Sequence, residues 1–292
     1  EFCPTIVTGD LRWIGRILQS IAKARQSSRL IARALIGAHL EGPYISPEDG
    51  PRGAHPRQFV SFPDWEEFQR LQELAQGAIR IITLAPELPR ALEFIEKAVA
   101  EGVVVGIGHT NASAREIRAA VDAGATLSTH LGNGCHAVVP RHADYIYEQL
   151  GNDGLMASFI ADGKHLPANV LKSFIRAKGV QRSILISDAV SLTGLPDGAY
   201  TLWGQQVEVL RDKVVLAGTE YLAGAVSLLP VGVFNAVKLA GCLLEEAIDM
   251  ASLNPLRLLG QKQRGLQVGA PANLIVFQMN DQDLAIKYVY CQ

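Results

Sequence analysis

Short apolar runs that end on a polar or ionisable residue alternate along this chain with longer stretches whose apolar positions recur every three or four residues. The first pattern predicts buried β-strands and the second amphipathic helices. The strand-like runs are the opening segment Phe2 to Gly9, then Arg33 to His39, Ile79 to Glu87, Val103 to His109, Thr126 to His130, Leu155 to Asp162 and Ser183 to Asp188. Between them lie helical stretches such as Ile14 to Ala24, Trp65 to Leu74, Arg90 to Ala100, Ala114 to Ala123 and Ala168 to Ala177. Strands that are almost continuously apolar and alternate with helices predict a parallel sheet covered on its faces. Seven such units fit an α/β fold of the (β/α)8 TIM-like barrel type, lacking its first strand, better than an open doubly wound sheet. No GxGxxG follows any of the strands, which counts against a dinucleotide-binding fold.

The rhythm changes from Gly198 to Ala217, where alternating residues bounded by glycines predict a hairpin outside the barrel. Helical stretches follow at Val226 to Leu239 and Leu244 to Ala251, and Asn254-Pro255 is expected to break the run. The tail is β-like again, at Ala272 to Phe277 and Ala285 to Tyr290. The expected division is a barrel of residues 1–197 and 218–262, with residues 198–217 and 263–292 forming a β-rich hairpin and side-sheet segment.

Composition narrows the class. The chain has 292 residues, of which 48% are hydrophobic and 19% charged, enough for a sizeable core, and its net charge of -2 advertises no nucleic-acid partner. Its four cysteines, Cys3, Cys135, Cys242 and Cys291, form no CxxC pair, so a zinc ribbon or disulfide framework is not expected and a reducing cytoplasm fits best. The longest apolar runs are interrupted by Gly and Pro and too short for a bilayer span, so no membrane association is expected. The chain does not open on Met, and it reads as part of something longer.

The chemistry falls at the C-terminal ends of the strands, which share one face in a parallel barrel. Glu87, His109, His130, Asp162 and Asp188 all sit there. Glu87, His109 and His130 form a carboxylate and imidazole set suited to zinc and acceptable to iron, manganese or cobalt, with a coordination position left for water. Asp188 is placed to take that water's proton. His165 follows a strand end and is a candidate to hydrogen-bond a substrate.

Eight segments in order carry a resemblance: HLEGP (His39 to Pro43), RGAH (Arg52 to His55), TLAPE (Thr83 to Glu87), GIGHT (Gly106 to Thr110), THL (Thr129 to Leu131), IADGKH (Ile160 to His165), SDA (Ser187 to Ala189) and LAGT (Leu216 to Thr219). Through them the chain resembles the N-acetylglucosamine-6-phosphate deacetylase family of the metal-dependent amidohydrolase superfamily, across nearly its whole length. The resemblance implies a barrel with a small β-sandwich appendage and hydrolysis of the acetamide of N-acetylglucosamine 6-phosphate or a closely related amino sugar. It implies one divalent metal on Glu87, His109 and His130, with Asp188 as base and acid. It also implies substrate contacts from Asn133, Gly134, Arg141 and His165, the guanidinium of Arg141 suiting a phosphate. Family members are often dimers, so a homodimer is in scope.

The departures shape further expectations. No HxH stands on a first strand, so a second metal is not expected. The family's Asn-Ala-Met reads Asn133-Gly134-Cys135 here, which is expected to widen the pocket, with Cys135 a packed thiol. Arg141 leads into His142 to Glu148 instead of Glu-Pro-Gly, which leaves an amidohydrolase for another small amide, or a truncated ligand-binding homologue, as alternatives. His39 and Glu41 are expected to shape the pocket floor. His55 is read as a mobile pocket contact or solvated, and His136 and His142 as loop residues without a metal role.

Overall fold

The computed structural model describes residues 1–261, 268–270 and 272–291 and divides into two compact units, Glu1–Leu155 and Met156–Gln292. In the first, five strands pair in parallel in chain order: β1 (Thr5–Val7), β2 (Ala38–Glu41), β3 (Ile79–Leu84), β4 (Val104–Ile107) and β5 (Leu127–Ser128). Their helices are α1 (Leu11–Ser27), α2 (Arg29–Ala34), α3 (Trp65–Leu74), α4 (Ala91–Ala100), α5 (Ala114–Asp122) and α6 (Tyr145–Gly151). Register sets Glu41 opposite both Val7 and Thr83, so the end of β2 lies between its neighbours' ends.

Helices α1, α3, α4 and α5 form where the apolar period predicts them, α2 and α6 fall outside the predicted stretches, and side-chain caps fix several starts. Asp10 accepts from the backbone of Arg12 and Trp13 at the head of α1, whose Ile14, Leu18 and Ile21 face the core. Ser113 and Glu116 close a reciprocal capping box on α5. One expected strand moves: residues 33 and 34 belong to α2, and β2 runs from Ala38 to Glu41 instead of ending at His39. Gly42 still donates to the Thr83 carbonyl at 3.1 Å, and Pro43, which has no N–H for the ladder, marks that end.

In the second unit β6 (Met156–Ile160) and β7 (Ser183–Ile186) pair in parallel around α7 (Ala168–Lys178). The expected hairpin is a three-stranded antiparallel sheet, β8 (Gly198–Leu202), β9 (Gln205–Leu210) and β10 (Lys213–Leu216), in the order β10-β9-β8. Two reversals, not one, fit in the segment because Trp203-Gly204 and Arg211 turn through positive φ. Helices α8 (Leu229–Lys238), α9 (Leu244–Ala251) and α10 (Leu253–Leu258) follow, and β11 (Leu274–Met279) pairs antiparallel with β12 (Leu284–Tyr290). Asn254-Pro255 does not end the helical run: the break falls at Ser252, and Pro255 sits in the first turn of α10, where its missing N–H costs nothing. The expected domain boundary at 262–263 lies outside the described residues. Among the described residues no helix is long and apolar enough to cross a membrane.

Candidate metal and catalytic site

Four buried side chains converge beyond the ends of the first unit's strands. Glu41 closes β2, His109 and His130 lie just past β4 and β5, and His55 comes from the loop after β2. Glu41 Oε1 lies 2.8 Å from His109 Nε2, 2.9 Å from His130 Nε2 and 3.7 Å from His55 Nε2, and the two imidazole Nε2 atoms are 3.1 Å apart. Burial opposes ionisation of Glu41, but the buried histidines around it outweigh that and hold the carboxyl well below its usual range.

The protonation of His109 says what this arrangement needs. Its Nδ1 is 2.8 Å from the Pro51 carbonyl, which can only accept, so Nδ1 carries the proton. Burial lowers the ring's pKa to about 4, so at neutral pH Nε2 presents a bare lone pair. That lone pair faces a carboxylate oxygen and a second imidazole nitrogen. The Glu41 carboxylate and the His109 lone pair, with His130 Nε2 beside them, fit a divalent cation, and nitrogen with oxygen is the donor mix of zinc and its neighbours. Among the described residues, Glu41, His55 and His109 offer ligand atoms all within 4.8 Å of one another.

Backbone conformation marks the same positions. His109 and His130 have φ of 51° and 30°, and Asp188 in the second unit has φ of 50°. Such values are uncommon for residues with a Cβ and cluster at functional sites. Gly134 serves the ring of His109: a Cβ there would lie 2.6 Å from His109 Nδ1, so the glycine admits the imidazole where a wider pocket was expected.

The structure brings His109 and His130 together as the sequence predicts, but the carboxylate between them is Glu41. Glu87 takes a different position. Its two oxygens accept from Thr110 Oγ1 and from the backbone N–H of Asn111 at 2.7 Å, and burial raises its pKa against those bonds. The expected end of β2 at His39 stops short of Glu41; with the strand running to the Gly-Pro turn, Glu41 stands at a strand end as His109 and His130 do just past theirs. His55 is not solvated, being 4% exposed with Nδ1 2.8 Å from Thr8 Oγ1. Its only signal was the Gly-Pro-rich loop around it.

The remaining candidates are placed as follows. Asn133 folds back, donating from Nδ2 to the His130 carbonyl at 3.0 Å, and Arg141 is exposed. Cys135 donates to the Gly132 carbonyl at 3.3 Å and burial raises its pKa, as a packed thiol would. His136 packs in its loop, with backbone and ring nitrogens 2.8 and 3.0 Å from the Tyr145 hydroxyl, and His142 is exposed. In the second unit His165 Nδ1 lies 2.8 Å from Asp162 Oδ2, and Asp188 is half-buried.

No family model matches the chain. It is similar to the N-acetylglucosamine-6-phosphate deacetylase of Bos taurus, with 36% identity over 308 residues that cover 99% of this chain and 71% of that protein. It is also similar to the N-acetylgalactosamine-6-phosphate deacetylase of Escherichia coli O157:H7, at 37% identity over 261 residues, 89% of this chain and 68% of that protein. Among solved structures, a mutant N-acetyl-D-glucosamine-6-phosphate deacetylase from Mycobacterium smegmatis in complex with N-acetyl-D-glucosamine-6-phosphate superposes with a TM-score of 0.89 at 32% identity, covering 99% of this chain and 74% of that one.

Proposed function

The chain belongs to the N-acetylglucosamine-6-phosphate deacetylase family, and from that premise we propose how its own residues perform the hydrolysis. The enzyme is an amide hydrolase that removes the acetyl group of N-acetylglucosamine 6-phosphate or a closely related N-acetylated amino sugar, giving acetate and the free amine. The observation that carries the site assignment is the inward lone pair of His109 facing Glu41 and His130. We assign one divalent ion, zinc by its donor set, to Glu41, His109 and His130 with His55 beside them, and place Glu87 outside the ligand set. Such an ion supplies an acidified water and polarises the acetamide carbonyl.

Asp188 takes the proton of the attacking water and returns it to the amine nitrogen as the C–N bond breaks. The positive φ it shares with His109 and His130 supports that role. His165 donates to the acetamide oxygen as negative charge gathers there. Arg141 pairs with the 6-phosphate, its exposed guanidinium having the fork an incoming phosphate requires, while Asn133 and Gly134 line the sugar. The parallel strands are read as part of a barrel of the (β/α)8 type, and β8–β10 with β11 and β12 as a small β-sandwich. A homodimer in the cytoplasm completes the reading, in keeping with four free thiols.

Acetate release from metal-loaded protein tests it. Turnover of N-acetylglucosamine 6-phosphate well above that of the unphosphorylated sugar is expected, with the galactosamine analogue as comparison. Equal rates on both glucosamine substrates would remove the phosphate role of Arg141, and absence of turnover would sink the reading.

A further inference from the structure

Asp162 has no place in the mechanism so far, yet it is buried against His165, each side chain being 5% exposed. One carboxylate oxygen, Oδ1, accepts from the backbone N–H of Lys164 at 2.8 Å and of His165 at 2.9 Å. The other, Oδ2, lies 2.8 Å from His165 Nδ1. Burial pushes the Asp162 carboxyl up, but the hydrogen bond and charge of His165 and the two backbone donors outweigh it and leave it below the usual carboxylate range. An ionised carboxylate only accepts, so the proton of that contact sits on Nδ1. A neutral imidazole has one N–H, so Nε2 can donate only when the ring carries a second proton and a positive charge.

We propose that Asp162 is a positioning residue for the hydrolysis: it holds His165 through Nδ1–H, leaves Nε2 as the nitrogen offered to substrate, and offsets the ring's charge as Nε2–H donates to the acetamide oxygen. No proton passes to Asp162. The pair acts as the aspartate and histidine of a serine-hydrolase triad do, where the carboxylate fixes the tautomer and stabilises the imidazolium. This inference rests on the reading of His165 as the donor to the acetamide oxygen.

Asp162→Asn separates charge from shape. The amide carbonyl must take over the two backbone donors, which turns the NH2 group towards Nδ1 and leaves the ring one proton, on Nε2. The ring keeps its position and a neutral Nε2–H, but loses its positive charge. Because the oxyanion charge exists only in the transition state, kcat should fall about 100-fold with KM little changed. Nitrogen-15 NMR of the His165 ring should find the proton on Nδ1 in the wild type and on Nε2 alone in the variant. An unprotonated Nδ1 in the wild type overturns the proposal, and so does an unchanged kcat once the tautomer has switched. A wild type without deacetylase turnover overturns the underlying functional reading instead, and the wild-type ring spectrum then judges the pairing separately.

Discussion

Glu41 carries more of the site than any other side chain, because a single oxygen of its carboxylate meets two buried imidazole nitrogens within 2.9 Å. The strand-end pattern led to Glu87 because both glutamates follow apolar runs, and only the backbone distinguishes them. Glu87 spends its oxygens on Thr110 and Asn111, whereas Oε1 of Glu41 lies inside the histidine cluster. Glu41→Gln should therefore reduce bound metal from about one equivalent to nearly none, since a neutral amide is a far poorer ligand for a hard or borderline cation. Glu87→Gln should keep the metal. Elemental analysis of the two purified variants checks this, and metal lost only from the Glu87 variant would reverse the assignment.

Among elements, the helices were legible and the strand ends were not. α3 and α9 occupy the residues their periodicity predicts, because several turns of amphipathic pattern average out any single ambiguous residue. A four-residue strand has no such averaging, and β2 moved by enough to change which side chain ends it. α10 gives a further case: Asn254, 1% exposed, donates both hydrogens of its amide, to the Val180 and Ser183 carbonyls at 2.7 Å each. It thereby ties α10 to the turn that opens β7, the strand leading to Asp188. Asn254→Ala should destabilise the protein by roughly 1–3 kcal/mol by leaving two buried acceptors unpaired. Asn254→Asp should cost more, since it sets a carboxylate against them. Urea unfolding of both variants reads the order, and an aspartate variant as stable as wild type would refute the pairing.

For the whole molecule, buried neutral histidines make stability depend on pH. Burial lowers the pKa of His39 from 6.5 to about 4, its Nε2 lying 2.7 Å from Thr83 Oγ1. The unfolded chain therefore binds more protons between about pH 4 and pH 6.5, and stability rises with pH through that window and is complete above it. For one such residue the change approaches roughly 3 kcal/mol. Urea midpoints of metal-free protein should fall on acidification from pH 6.5 towards pH 4, and His39→Gln should flatten the slope; a slope unchanged in that variant would assign the effect elsewhere. The sequence by itself determined the order of strands and helices, the class of fold and the residue types at the strand ends, because periodicity and turn chemistry are local. Only tertiary structure decided which carboxylate meets His109 and His130, that His55 is buried beside them, and that Asp162 grips His165. Those outcomes depend on strand register and on protons assigned by partners distant in the chain or hidden in a loop's turn, and neither is a periodic property of sequence.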